Sequence, residues 1–361
     1  MFIGRIGLRA RLSIITGAVL FVSMCLLGGA SYYLAQGFLA RSLGDTMAAI
    51  GSGGAEKVTR DVGIIVAQLE GIAGHEAVRE GKDGAGIAAL LAAEQKRLTK
   101  LANVNCIFPD GAAIRANGSR TNVADRDYFR KIVATRKPVV SDVITSGLTG
   151  KLSVIIAVPV LAADGRLLAV VSGSLPLENL EYIVSDIKYK ETGGGLLADD
   201  AGTVLSYPKE PLLAGRLNLA EKKSKPAGDQ PAGLADDRLI ALFKQAAGDG
   251  KQAVGKYAFT DGQEYAAVFT PVNLPGGQRW VLAVNVAAGE AGAEINRLAW
   301  VLTAVTVFCL LASIAVSTLL NRRLSAPIVK LRDEALLIAG GDLSERELGA
   351  GSDDEIGDLA R

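Results

Sequence analysis

The stretch LSVIIAVPVL at Leu152–Leu161, AADGR at 162–166 and LLAVVSGSL at Leu167–Leu175 decides the fold. Two apolar runs rich in Val and Ile flank an Asp-Gly pair, and each run is too short for a helix that would bury it. That is the signature of two buried strands joined by a tight turn. Outward from this hairpin, the spacing predicts a strand over Val139–Thr145, set off by Gly147 to Gly150. Another hairpin is predicted from Val104–Phe108 and Ala112–Ala116 around Asp110-Gly111, a dipeptide suited to a two-residue turn. Helices are expected over Asp125–Lys137, with Asp125 as N-cap, and over Leu177–Ile187. Strands with helices laid on them make an antiparallel α+β module.

The pattern recurs in reduced form. Gly195–Asp199 and Thr203–Tyr207 form a predicted hairpin, 221–234 a polar loop, and Asp236–Ala247 a short amphipathic helix. Three further strands are read at Ala253–Thr260, Glu264–Val272 and Trp280–Val286. Ahead of both modules, Ile50, Val58, Val62, Ile65, Leu69 and Ile72 recur at helical spacing, although Gly51, Gly53 and Gly54 weaken the helix they belong to. Gly86–Leu101 is a second expected helix, and the chain turns helical again near Ala288.

At both ends lie charge-free apolar runs, Leu12–Ala35 and Leu298–Leu320. Each exceeds the roughly 20 residues that cross a bilayer as a helix. Arg5, Arg9 and Arg11 precede the first and Arg322 and Arg323 follow the second. The positive-inside rule therefore predicts a cytoplasmic segment 1–11, spans at 12–35 and 298–320, and residues 36–296 outside. Tyr32, Tyr33 and Trp300 fall near the outer boundary. A cleaved signal peptide is the alternative for the first run, but its length and the lack of an A-x-A site disfavour it. Net charge of +1 gives no electrostatic case for nucleic acid. Three cysteines, two of them in the apolar runs, leave Cys106 alone in the middle region, so no disulfide can form there. His75, the single histidine, reads as a surface residue at a helix end and cannot build a multi-histidine metal site. No cofactor or metal is expected.

The order of parts resembles the double Cache sensor family. Asp125-Arg126-Asp127-Tyr128-Phe129 at a helix start, Thr149-Gly150-Lys151 ahead of a strand ending Ala157-Val158-Pro159-Val160, and Asp164 to Val171 carry the likeness. The resemblance covers about Gln36 to Asn296 and implies a tandem Cache (PAS-like) domain behind a long N-terminal helix. Its distal module would span about 102–187 and its proximal module about 188–287. Beyond the second apolar run, Pro327, then Ile328, Leu331, Ala335 and Ile338 at coiled-coil spacing, Gly340-Gly341-Asp342-Leu343 and Asp354-Glu355-Ile356-Gly357 resemble a HAMP linker over 321–361. That segment stops soon after the second helix motif, so the chain is expected to be part of a longer protein.

What the resemblance implies is a bacterial inner-membrane receptor, as in methyl-accepting chemotaxis proteins, homodimeric because a HAMP unit is a four-helix bundle of two chains. It would bind a small carboxylate or amino-acid-like ligand in the distal module and signal to chemotaxis machinery. A histidine kinase or diguanylate cyclase output is the alternative, and an anchored enzyme lacks any nucleophile–base pair here. In amino-acid-binding relatives an arginine at this helix start grips the ligand carboxylate, which maps onto Arg126, with Tyr128 and Phe129 as its aromatic neighbours. A solvated Arg126 and a core Phe129 are the alternatives. Those relatives carry an aspartate on the last distal strand, where this chain has Ser172-Gly173-Ser174. Asp142 is a candidate for the missing charge and Lys151 for a second cation; without an acid, a plain anion is favoured over a zwitterion. Asp199 and Asp200 read as a solvated turn, and Gly193 to Gly195 lack the G-K-[ST] of a phosphate loop.

Overall fold

The computed structural model describes residues 8–81, 83–147, 149–221, 236–259 and 261–340. Arg41–Gly292 forms one compact unit and the two helical ends form another. Helix α1 (Leu8–Ala73) opens the chain and α7 (Ala288–Ala339) closes it. Within the helical ends both carry apolar side chains all round: Leu26 and Leu27, adjacent on α1, are each 69% exposed, and Phe308 on α7 is 72% exposed. Two helices are thus long and apolar enough to cross a membrane. Pro327 and the coiled-coil positions Ile328 to Ile338 fall within α7, while Asp354 to Gly357 lie outside the described residues.

Between them come α2 (Glu76–Glu80), α3 (Gly84–Arg97), β1 (Asn103–Ile107), β2 (Ala112–Arg115), β3 (Arg120–Asn122), α4 (Asp127–Thr135), β4 (Val139–Val140), β5 (Ile144–Thr145), β6 (Leu152–Leu161), β7 (Leu167–Pro176) and α5 (Leu177–Ser185). These strands build a seven-stranded sheet in the order β3-β2-β1-β7-β6-β4, with β5 also on β6. The second module holds β8 (Lys188–Tyr189), β9 (Gly193–Ala198), β10 (Val204–Ser206), α6 (Asp237–Asp249), β11 (Ala253–Ala258), β12 (Glu264–Asn273) and β13 (Arg279–Ala287). Its order is β10-β9-β13-β12-β11, with β8 on β9. Every recorded pairing in both sheets is antiparallel.

Three expectations need correction. Val139–Thr145 is two short strands, because Ser141 turns inward: its Oγ accepts from the Ile155 N–H at 2.8 Å and donates to the Asp142 carbonyl at 2.7 Å. Asp125 does not cap α4. The Arg126 N–H closes a turn onto the Val123 carbonyl, which moves the N-cap to Arg126. The glycines at 51, 53 and 54 do not interrupt α1, and their effect is on packing. His75 is exposed as expected and caps α2, its Nδ1 accepting from the Ala77 N–H.

The apolar stripe of α1 (Met47, Ala55, Val58, Val62, Ile65, Leu69, Ile72) shares one core with both sheets: Val104, Cys106 and Ile156 of the first, Val268, Leu282 and Val284 of the second. A methyl on Gly51 would stand 2.4 Å from the Thr270 Oγ1, and one on Gly54 2.7 Å from a Leu282 methyl and 2.8 Å from Ile187, whereas Gly53 faces open space. Close approach of helix and sheet therefore needs Gly51 and Gly54 but not Gly53. Gly53→Ala should raise stability by about 0.4–1 kcal/mol, and Gly54→Ala should lower it by about 1–3 kcal/mol through overpacking. Thermal melts of the two variants check this, and equal shifts would refute the packing role.

Candidate functional site

Strand alternation gives the first sheet two unlike faces. Val104, Cys106, Val171 and Leu175 point into the core shared with α1. Ile107, Ala113, Ile155 and Val170 point the other way, under α4, and pack with Tyr128, Phe129 and Ile132. On that same face the register sets Asn103 opposite Ser174, and Asn105 opposite Ser172 on β7 and Arg115 on β2. The result is a buried polar stripe under the start of α4.

This stripe floors a cavity of about 70 Å³, walled by Asn103, Asn105, Arg115, Arg126, Tyr128 and Ser174, with Ile144 to Gly147 along one side. The Asn105 amide donates to the Asn103 Oδ1 at 3.2 Å and the Ser172 Oγ at 3.3 Å, while the Asn105 Oδ1 and the Ser174 Oγ are buried with no partner. An unsatisfied buried polar group costs about 1–3 kcal/mol, and native proteins hold few of them. The Arg126 side chain makes no hydrogen bond to cap α4, and among the described residues Arg115 donates a single long bond, 3.4 Å, to the Ser119 hydroxyl. Burial pushes the Tyr128 phenol up to about 12, with Arg126 pulling it down and Asp125 up. No acidic residue is among the described walls. Two guanidinium groups, an unpartnered hydroxyl and an unpartnered carbonyl oxygen thus lie around one small cavity.

Arg126 and Tyr128 are therefore brought together at the cavity, whereas Phe129, Asp142 and Lys151 are not. Phe129 is a buried core residue beneath α4. Lys151 pairs with Glu178 at 2.9 Å. Asp142 faces the second module: burial raises its acid, Lys131 opposes that, and the nearby Asp200 raises it further. Asn103, Asn105, Arg115 and Ser174 were missed in the sequence. Their signal was polar residues two apart, Asn103/Asn105 and Ser172/Ser174, inside otherwise apolar strands.

The second sheet is packed differently on the corresponding face. Its face toward α6 is filled by Tyr207, Tyr257, Phe259, Tyr265 and Phe269, with ring centroids 5.5–6.1 Å apart. Tyr257 also accepts from the Asn285 amide at 3.1 Å.

Tandem sheet modules strung on a long helix define a class of sensor domain, and comparison with known proteins agrees. The Cache domain model matches residues 46–295 and the HAMP domain model residues 319–361. The chain belongs to the Cache-domain family. Among solved structures, the ligand-binding domain of the Pseudomonas fluorescens chemoreceptor CtaA in complex with L-isoleucine is 18% identical with a TM-score of 0.54, covering 72% of this chain and 98% of its own. The ligand-binding domain of the Pseudomonas aeruginosa PAO1 amino acid chemoreceptor PctB in complex with L-Arg is 17% identical with a TM-score of 0.52, covering 68% and 96%. The extracellular domain of the putative histidine kinase mmHK1S-Z3 is 16% identical with a TM-score of 0.53, covering 72% and 97%. At these identities the likeness is one of fold.

Asp199 yields a pH test. Contrary to the solvated turn expected there, it is 1% exposed, and its Oδ1 accepts from the Thr203 N–H at 2.7 Å. Burial, reinforced by Asp142 and Asp200 against the Thr203 hydrogen bonds, raises its acid from 3.8 to about 6. The folded state thus holds this proton more tightly than the unfolded one. Its contribution to stability is complete below about pH 4 and is lost as pH rises through about 6. Melting temperature should fall across that window, and Asp199→Asn should flatten the fall; an unchanged profile in the variant would contradict the assignment.

Proposed function

We propose that this chain is a membrane receptor whose distal Cache module senses a short carboxylate bearing a hydroxyl, such as glycolate or lactate. The observation that carries the reading is the pair of buried, unpartnered oxygens, Asn105 Oδ1 and Ser174 Oγ, in a cavity with Arg115 and Arg126 on its walls. The two arginines would take the carboxylate and the Ser174 hydroxyl would donate to it. The Asn105 carbonyl oxygen asks for a donor, which a 2-hydroxyl supplies. An ammonium would also donate but would meet no carboxylate there. The cavity is small, about 70 Å³, which favours a short ligand.

In this reading α1 and α7 each cross the membrane, because helices that expose apolar side chains all round need lipid about them. Both ends are cytoplasmic, residues 36–296 lie outside, and the receptor works as a homodimer in the bacterial inner membrane. Signal would leave the cavity along β7, since Ser174 lies three residues before α5 begins. The end of α5 is tied to α1 by Lys57–Asp186 at 2.6 Å. The loop beyond β8 is tied to the first turn of α7, where the Glu290 carboxylate accepts from the N–H groups of Glu191 at 2.8 Å and Thr192 at 2.9 Å and from the Thr192 hydroxyl. Through α7 and HAMP the change would reach chemotaxis machinery. A histidine kinase output is the second reading, favoured by the fold shared with mmHK1S-Z3.

Calorimetric titration of the full chain should show glycolate or lactate binding, with glycine and alanine at least about tenfold weaker. Arg126→Ala should weaken the acid by about 10–100-fold, the loss expected of a hydrogen bond to a charged group. Glu290→Ala should leave that affinity unchanged while abolishing the signal in a receptor-coupled kinase assay. Glycine binding as tightly as glycolate, or a hit indifferent to Arg126→Ala, would refute the site.

A further inference from the structure

A larger cavity, about 220 Å³, lies between the two modules and has no part in the reading above. Its walls come from α5 of the distal module, through Leu177 and Glu181, and from β10 of the proximal module, through Leu205 and Ser206. The segment after the short 3-10 turn at Pro211–Leu213 adds Leu212 and Arg216.

Three features make it a built site. Ser206 is 3% exposed and its Oγ has no hydrogen-bond partner, so a polar group lines the cavity unsatisfied. Glu181 and Arg216 both line it, and neither forms an ion pair or side-chain hydrogen bond with any described residue, unlike neighbouring Glu178, which Lys151 holds. The rest of the wall is aliphatic: Leu177 and Leu205 are buried, and Leu212 stands 68% exposed at the rim. An acid, a base and a hydroxyl around an apolar wall match a zwitterion with an apolar side chain. The distal cavity, which has arginines and no acid, cannot offer that set. A volume of about 150 Å³ accepts benzene, so this one has room for a branched aliphatic group.

We propose that the inter-module cavity is a second ligand site, taking an amino acid with a branched aliphatic side chain. Arg216 grips the carboxylate, Glu181 holds the ammonium, Ser206 donates to or accepts from the ligand's polar end, and Leu177 and Leu205 bury its side chain. Because its walls come from both modules, an occupant favours one arrangement of the two over others, which makes the site a modulator of whatever the distal cavity reports.

The test is calorimetric titration of the full chain in lipid nanodiscs with L-leucine, 4-methylpentanoate (no ammonium) and 3-methylbutylamine (no carboxylate). L-leucine should bind, and each truncated analogue should bind at least tenfold more weakly. Glu181→Gln and Arg216→Gln should each weaken L-leucine at least tenfold at unchanged melting temperature, with Ser206→Val as a second probe of the same wall. Arg126→Ala should leave L-leucine binding intact, which separates this site from the distal one. The proposal is overturned if L-leucine shows no saturable binding. It is equally overturned if that binding is lost in Arg126→Ala and untouched by Arg216→Gln, which would send the amino acid to the distal cavity.

Discussion

The Cache region depends on one packing constraint: a single helical stripe on α1 must cover the inner faces of two separate sheets. Residues from Met47 to Ile72 do so at spacings of three and four, and each fully buried aliphatic side chain contributes about 1.5–3 kcal/mol. Without that stripe both sheets would expose a Val- and Leu-rich face to water. Gly51 and Gly54 set how closely the helix lies on the second sheet. Polar ties hold the same arrangement, with the Gln252 amide donating to the Ala48 carbonyl at 2.9 Å and the Thr59 hydroxyl to the Asn273 carbonyl at 3.0 Å. Where the modules meet away from α1, Gly276 at φ +87° passes so near the Pro138 carbonyl that a methyl would lie 1.9 Å from it.

With their inner faces committed to α1, the sheets are free to differ on their outer faces. The second fills its outer face with packed aromatic rings, which stabilises the fold and leaves little room for a ligand. The first gives up part of its core to Asn103, Asn105, Ser172 and Ser174, where the Asn105 amide bonds Asn103 on its own strand and Ser172 across the sheet while the Asn105 Oδ1 and the Ser174 Oγ stay unmatched. A stable fold tolerates such unmatched oxygens most readily where a ligand or water completes them.

Much of this was legible in sequence, for identifiable reasons. The β6–β7 hairpin, the Asp-Gly turns and the stripe on α1 are governed by local period and turn chemistry, which one chain displays. Strands β3 and β8, of three and two residues, carry too little pattern and exist only because an edge is available to pair with. The break at Ser141 depends on a side-chain bond to Ile155, fourteen residues away. At the cavity, Arg126 and Tyr128 stood out through the helix-start motif. Asp142 and Lys151 lie away from that cavity, beside Asp200 and Glu178, because proximity in sequence does not say which way a side chain points. Asn105 and Ser174 were readable in principle, since a polar residue at a core position of a strand is itself a signal.

The central claim is that the polar stripe under α4 is where the ligand sits. A crystal structure of the Cache region grown with glycolate tests it most directly. The account predicts density in the distal cavity, with the carboxylate on Arg126 and Arg115 and the hydroxyl on the Asn105 Oδ1. Glycolate bound elsewhere with that cavity holding only water, or an orientation that leaves Asn105 Oδ1 and Ser174 Oγ unpartnered, would contradict it.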